Sequence, residues 1–418
     1  MALHSSHGAH DGRPGRGPAP RRPVRSARSA PAPVSRGLRW TALGLGALVG
    51  LLAAGTLLGQ EPVFHGEDHA YRVVTVADGL QNPWGMQFLP GGDILLTERP
   101  GRVRLIRDGA LLPDPVADLP EIGAGGQGGL LDILLHPEFG TNRFVYLSYA
   151  KLRADGERTT AVARGSWDGN RITGIREIFA AEAWSDRGAH FGGRMVIDAD
   201  GYLFLALGDR GYMDESQNLR NHIGTILRLH DDGRVPSDNP FVGREDALPE
   251  IWTYGNRNGQ GMAIHPETGE IWQNEHGPRG GDEINLVRPG LNYGWPVISY
   301  GINYDGSVLT EHTHMEGMEQ PVHHWTPSIA TSGKAFYTGD AFPAWRGSML
   351  VGGLAGTQIA RVTLNGHSYV GEETLLSDYG ERIRDVRDGP DGFIYALTEN
   401  RAGEPVGKVI RLEPAAHD

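Results

Sequence analysis

Residues 251–295 set Arg257, Asn258, Gln260, Asn274, Glu275, His276, Arg279, Asp282, Glu283 and Asn285 among nine glycines, a density of directional polar groups that no hydrophobic core requires. Glycine lets the backbone approach a ligand closely, while Arg and Asn supply planar hydrogen bonds of fixed direction. The ligand this predicts is flat, polar and anionic. Within the segment, YGNRNGQG places Arg257 and Asn258 side by side in a turn, where a fixed guanidinium can stabilise negative charge developing on an oxygen. The stretch EHGPRGGDEINLVRPGLNYGWP combines acids, glycines and prolines in the style of a hard-cation site, with Glu283 as a carboxylate ligand.

Other segments carry groups that could join the same site. In GAHFGGRMVIDADGYLFLALGD, a hairpin turning at DADG would return Asp209 to the level of His190, and a carboxylate beside an imidazole suits a general base. The same spacing also suits a half-buried turn histidine with Asp209 capping the next loop. GGQGG presents Gln127 from a backbone able to pass close to a ligand, though a plain flexible loop reads the same way. Arg382 and Arg384 lie two apart on an expected strand, hence on one face, and call for an anion or for acidic partners. His312, His314, His323 and His324 are spaced irregularly, which predicts a solvated loop rather than a zinc site.

The elements that position these groups are short strands. One unit recurs: a turn, a short apolar strand, then a polar end. It appears as GGDILLTE, NRFVYLSY, DGYLFLALGD, TGEIWQNE, RGSMLVGG and DGFIYALTE, at intervals of 51, 58, 68, 78 and 45 residues. Six copies about 60 residues apart predict an all-β fold, a six-bladed propeller of four-stranded antiparallel blades over residues 71–414. A pair of β-sandwiches also has short strands and turns, but it does not need one unit repeated along the whole chain. In a propeller, loops from several blades meet at the channel mouth, so residues distant in sequence share a site.

The 418 residues include 61 glycines, which suits tight turns more than helices, and no cysteine, which excludes disulfides and thiolate chemistry. The first 40 residues hold eight arginines against Asp11, a charge of +7, so the remainder carries −19 and offers no basic surface for nucleic acid. This basic leader (1–40) precedes an uncharged apolar run (41–60), long enough to cross a bilayer and oriented to export the body of the chain. No clear A-x-A cleavage site ends the run, which favours a membrane anchor over a cleaved signal.

The ordered motifs GGQGG, HFGGRM, LALGD, GNRNGQG, EHGPRGGDEIN, NYGWP and ERIRDVR resemble those of the soluble glucose/sorbosone dehydrogenase family, which depends on pyrroloquinoline quinone (PQQ), and most closely its aldose sugar dehydrogenase branch. The resemblance runs from Asn82 to the end of the chain. It implies a six-bladed propeller that binds PQQ, a tricarboxylate quinone, with Ca2+ at the channel mouth. By motif, His190 would be the base that takes the anomeric hydroxyl proton while hydride passes from C1 of an aldose to C5 of PQQ. Asp209 would orient that imidazole, and Arg257, with Asn258 beside it, would stabilise the quinone oxyanion. The carbonyls of Gly277 and Pro278 would hold calcium, Glu283 and the Tyr293 carbonyl a second calcium. Arg382 and Arg384 would pair with PQQ carboxylates, and Gln127 would contact cofactor or sugar.

The family's glucose dehydrogenases carry a lysine where LVGGLAGTQ here places Ala355, so any contact there would be backbone or absent, with Lys334 no obvious substitute. A calcium-dependent propeller hydrolase of the lactonase type would also use His190 and Glu283, but it leaves Arg257, Arg382 and Arg384 without work. A non-catalytic sugar-binding propeller is the third reading. The preferred sugar and the electron acceptor are not specified by these residues.

Overall fold

The computed structural model describes residues 62–415, so the leader and the apolar run lie outside the described residues. Among the described residues six antiparallel sheets form the fold, and helix is confined to Phe139–Asn142 and two short 3-10 turns. Among the described residues no helix is long and apolar enough to cross a membrane.

The six recurring units of the sequence are the second strands of six blades, in order Ile94–Glu98, Phe144–Leu152, Tyr202–Ala206, Ile271–Glu275, Met349–Gly353 and Ile394–Glu399. They read as continuous apolar runs because both of their faces are covered. Leu95 packs into the cluster shared with the second blade, whereas Ile94 and Leu96 pack into the one shared with the sixth. Six such clusters fill the six spaces between neighbouring blades. Burial on both sides removes the alternation of a one-sided sheet.

The sixth blade is assembled from both ends of this span. Arg382–Asp388, Ile394–Glu399 and Gly407–Pro414 are followed by Ala70–Leu80, which pairs Tyr71 with Pro414 and Thr75 with Ile410. Val63–His65 adds a fifth strand outside it, so this sheet exceeds the expected four.

First strands line the axis: Pro83–Phe88, Leu130–Leu135, Met195–Ile197, Gly259–Ile264, Thr331–Phe336 and Arg382–Asp388. Their pairing with the second strand slips register in five blades, all except the third, as β-bulges do where strands crowd a rim. On the axis Asp132, Arg194 and Asp385, all buried, form a quartet with the partly exposed Arg387. Arg194 Nη1 meets Asp132 Oδ1 at 2.9 Å and Asp385 Oδ1 at 3.2 Å, and Arg387 Nη1 meets Asp385 Oδ1 at 2.9 Å. The quartet bonds to the first strand of every other blade. Asp385 accepts from Met86 N, Asp132 from Met195 N, and the arginines donate to the carbonyls of Gln260 and Lys334. Two glycines make the room, since a Cβ at Gly85 would stand 2.6 Å from Asp132 Oδ1 and one at Gly333 1.9 Å from Asp385 Oδ1.

Removing one member of a buried ion pair leaves an uncompensated charge, a loss of about 3–5 kcal/mol. Arg194→Met is therefore expected to lower the urea midpoint by that much stability at unchanged slope, and a loss below about 1 kcal/mol would show that the quartet does not hold the ring.

Candidate functional site

Above the quartet, first strands begin and second strands end on one face, and there the polar ends of the repeating units converge. A cavity of about 370 Å³ opens between them, lined by Trp84, Gln127, Phe191, Asn258, Gln260, His276, Tyr304 and Leu354, and by Arg99, Arg382, Arg384, Arg401 and Glu399. Trp84 forms the floor, with the Arg194 guanidinium 4.3 Å from its ring centroid, so the axial quartet sits directly beneath.

Four guanidiniums against one carboxylate give the cavity an excess of three positive charges. Glu399 is the counter-ion. Its Oε1 accepts from Arg382 Nε and Nη2 at 3.1 and 3.0 Å and from Arg384 Nη2 at 3.0 Å, and its Oε2 accepts from Arg384 Nε at 3.0 Å. Burial alone would raise this carboxyl, but Arg384, Arg382 and Arg99 outweigh it and hold it at about 2. Arg384 also donates to Gln260 Oε1 at 3.1 Å and Arg382 to Leu354 O at 2.9 Å, so neither guanidinium is free to swing.

His190 and Asp209 meet as the hairpin predicts, although His190 stands in the loop before its strand. His190 Nδ1 lies 2.6 Å from Asp209 Oδ1. Burial would raise the Asp209 carboxyl, but the His190 hydrogen bond and Arg257 prevail and lower it. The carboxylate therefore accepts from Nδ1–H, which leaves the Nε2 lone pair as the basic atom. The loop is held in a conformation few side chains adopt: His190 has φ +51° and Arg210 φ +54°. Arg210 fixes it by donating to the carbonyls of Ala189 and Arg187, with its guanidinium 3.5 Å from the Phe191 ring centroid. Gln127 adds a further tether, its Oε1 accepting from His190 N at 2.8 Å. Its carbonyl oxygen thus serves the histidine, while the residue also borders the cavity.

Arg257 joins the dyad through the backbone, its carbonyl accepting from Asp209 N at 2.7 Å. Arg257 Nη1 donates to Gly277 O at 2.8 Å and His276 O at 3.1 Å, while the buried Nε has no partner. Glu275 holds this turn, its Oε2 accepting from Arg257 N at 2.5 Å and Asn258 N at 3.3 Å. Asn285 Nδ2 bridges Glu275 and Glu283 at 3.1 Å to each. Burial and, for Glu283, the Glu275 charge raise both carboxyls. These two acids, with Tyr293, Trp295 and Ser299, surround a void of about 10 Å³, room for one water-sized species. The Tyr293 hydroxyl is committed elsewhere, donating to Leu286 O at 2.5 Å.

Burial, Arg257 and Arg384 push the His276 imidazole down to about 3, and its Nε2 lies 2.6 Å from Thr331 O, so it is a neutral Nε2–H donor. One expectation changes, that of a solvated histidine loop, while those for Ala355 and Lys334 stand. Leu354, not Ala355, faces the cavity, because Ala355 N is bonded to Ile329 O in the turn. Lys334 is buried on a first strand with no partner for Nζ and does not line the cavity. His323 and His324 belong to the strand His323–Trp325, stacked on Tyr369 at 4.1 Å and Tyr300 at 3.9 Å; only His312 and His314 are exposed loop residues.

Sequence reasoning missed Arg99, Arg401, Glu399 and Trp84. A signal existed: LLTER and ALTENR are polar ends of the same recurring unit that ends in Asp209 and in Glu275 and His276.

A ring of six blades with a cationic cavity and a His–Asp pair at one mouth defines the class, a propeller built to act on or with an anionic ligand. Residues 80–411 match the sequence profile of the Glucose / Sorbosone dehydrogenase family, and the chain belongs to that family. Aldose sugar dehydrogenase YliI of Escherichia coli K12 is 44% identical over 337 residues, 79% of this chain and 91% of its own. The apo-form structure of the soluble aldose sugar dehydrogenase from Escherichia coli superposes with a TM-score of 0.79 at 41% identity, over 82% of this chain and all of that one. The PQQ-bound form of aldose sugar dehydrogenase from Streptomyces coelicolor superposes at 0.68 with 26% identity, over 82% and 98%.

Because Glu399 sits at about 2 when folded and near the ordinary 4.5 when unfolded, its stabilisation is complete above pH 4.5 and is lost as pH falls through about 2. The shift corresponds to about 3 kcal/mol. Urea unfolding of wild type and Glu399→Gln is expected to show a stability gap that narrows by that amount over this window, and a gap independent of pH would refute the pairing.

Proposed function

We propose that the protein is a PQQ- and calcium-dependent aldose dehydrogenase that oxidises sugars at C1 to lactones, with His190 as general base. The observation that carries this reading is the excess of three positive charges in a cavity bordered by Gln127, whose Oε1 accepts from the backbone of His190, the partner of Asp209; this suits a tricarboxylate ligand near a proton acceptor. Membership of the family and the name of the E. coli relative support the sugar oxidation, and the PQQ-bound relative supports the cofactor.

When bound, PQQ would accept the C1 hydride at C5, with calcium acting as a Lewis acid on its carbonyl. Arg382 and Arg384, with Arg99 and Arg401, would hold its carboxylates, and Asn258 and Gln127 would border it. His190 Nε2 takes the proton of the C1 hydroxyl, and Asp209 stabilises the imidazolium that results. Arg257, whose Nε is unpartnered, offers a buried donor to negative charge at the site. For calcium, Gly277 O already accepts from Arg257, so a cation held there and on Pro278 O would share that oxygen with the guanidinium. Glu283 and Glu275, facing one another across a water-sized void, fit a hard cation well, with the Tyr293 carbonyl alongside.

The charge layout of residues 1–60 supports work outside the cytoplasm, with the apolar run as leader or membrane attachment. A calcium-dependent lactonase would leave the four cavity arginines without a ligand, and a sugar-binding propeller would not need an oriented base.

PQQ-free protein given PQQ and calcium is expected to reduce a dye only when aldose is added. His190→Ala should lower kcat at least about 10²-fold while PQQ stays bound by absorbance titration. Lactone hydrolysis without PQQ would establish the hydrolase reading instead. Calcium is expected to raise the melting temperature of wild type by a few degrees and that of Glu283→Gln by less; equal rises would remove Glu283 from the metal site.

A further inference from the structure

Besides bordering the small void, the tryptophan of NYGWP touches both halves of the site. Trp295 is 7% exposed. Its indole Nε1 donates to Asp209 Oδ2 at 2.9 Å, and the Arg257 guanidinium carbon lies 5.1 Å from its ring centroid. The residue cannot drift, because Trp295 N donates to Gly255 O at 2.8 Å and Gln217 Nε2 donates to Trp295 O at 2.7 Å. Asp209 is thereby fully committed: Oδ1 serves His190 and Gly211 N, at 2.6 and 2.7 Å, and Oδ2 serves the indole. An indole N–H can only donate, so it favours the ionised carboxylate and withdraws part of its charge from the imidazole.

We propose that Trp295 is a positioning residue that acts through two partners: it fixes the Asp209 carboxylate against His190, and its ring face seats the Arg257 guanidinium. The role rests on reading His190 as the base. Facing the dyad are the guanidiniums of Arg210 and Arg257 and the imidazole of His276, and Glu275 stands behind the Arg257 turn. None of these supplies a second hydrogen bond to Asp209 Oδ2 among the described residues.

Trp295→Phe keeps an aromatic face, though a smaller one, and removes the N–H, whereas Trp295→Leu removes both face and N–H. In the PQQ-free full chain, the His190 ring is followed by NMR across pH, its signal assigned by its absence in His190→Gln. Trp295→Phe is expected to move the midpoint up by about half a unit, roughly threefold in proton affinity, because Asp209 regains charge to place on the imidazole. With PQQ and calcium present, the acid limb of kcat should move the same way while KM for the sugar stays within about twofold. Trp295→Leu should lower kcat a further tenfold or so as Arg257 loses its seat. In wild type itself, the Trp295 indole N–H resonance is expected to shift with the His190 midpoint, a test that needs no folded variant. An unmoved midpoint in Trp295→Phe, or an indole resonance indifferent to His190, would overturn the proposal. A moved midpoint in a protein without dehydrogenase activity would leave the positioning role intact and refute the functional reading instead.

Discussion

Two arginines and two aspartates where six strands meet, all but Arg387 buried, are satisfied by one another and by the surrounding backbone. That constraint ties first strands together around the axis, because each charge completes its hydrogen bonds on a neighbouring blade. It also fixes height. Arg194 stacks beneath Trp84, which floors the cavity, so the cofactor-sized space above has a base that cannot sink or tilt without breaking the quartet.

The second strands were legible because burial on both faces turns each into an apolar run closed by polar residues, a pattern that survives irregular loop lengths. First strands were less so: those of the third and sixth blades could be read, from the DADG hairpin and from Arg382 and Arg384, but the others are bulged and several are interrupted by glycines or charges. Within the site, the meeting of His190 with Asp209 could be read because the hairpin spacing returns one to the level of the other. Arg99, Arg401 and Glu399 stand at polar ends of the recurring unit, but which of them meet is settled only across about 300 residues, by the ring. His323 and His324 were misplaced for a related reason: a three-residue strand gives too little periodicity to separate it from a loop.

An acidic body with a cationic pocket is an electrostatic contrast that neither charge count alone conveys. Glu399 makes the pocket sustainable before any ligand arrives, since guanidiniums held rigidly together without it would repel one another. The acid fixes two of them through Nε and Nη2, and the Leu354 carbonyl and Gln260 Oε1 hold their Nη1 groups. A polyanion entering it meets a field assembled in advance.

Ring closure by Ala70–Leu80 on Gly407–Pro414 has a consequence for biosynthesis. The earliest strand of the ring must wait, unpaired on its inner edge, until nearly the whole polypeptide has been made. During that interval an edge of eleven residues is exposed to any other extended chain, and a stalled or truncated product would keep it so. Cellular machinery that delays compaction until the last blade emerges would protect this molecule from strand exchange with its own siblings.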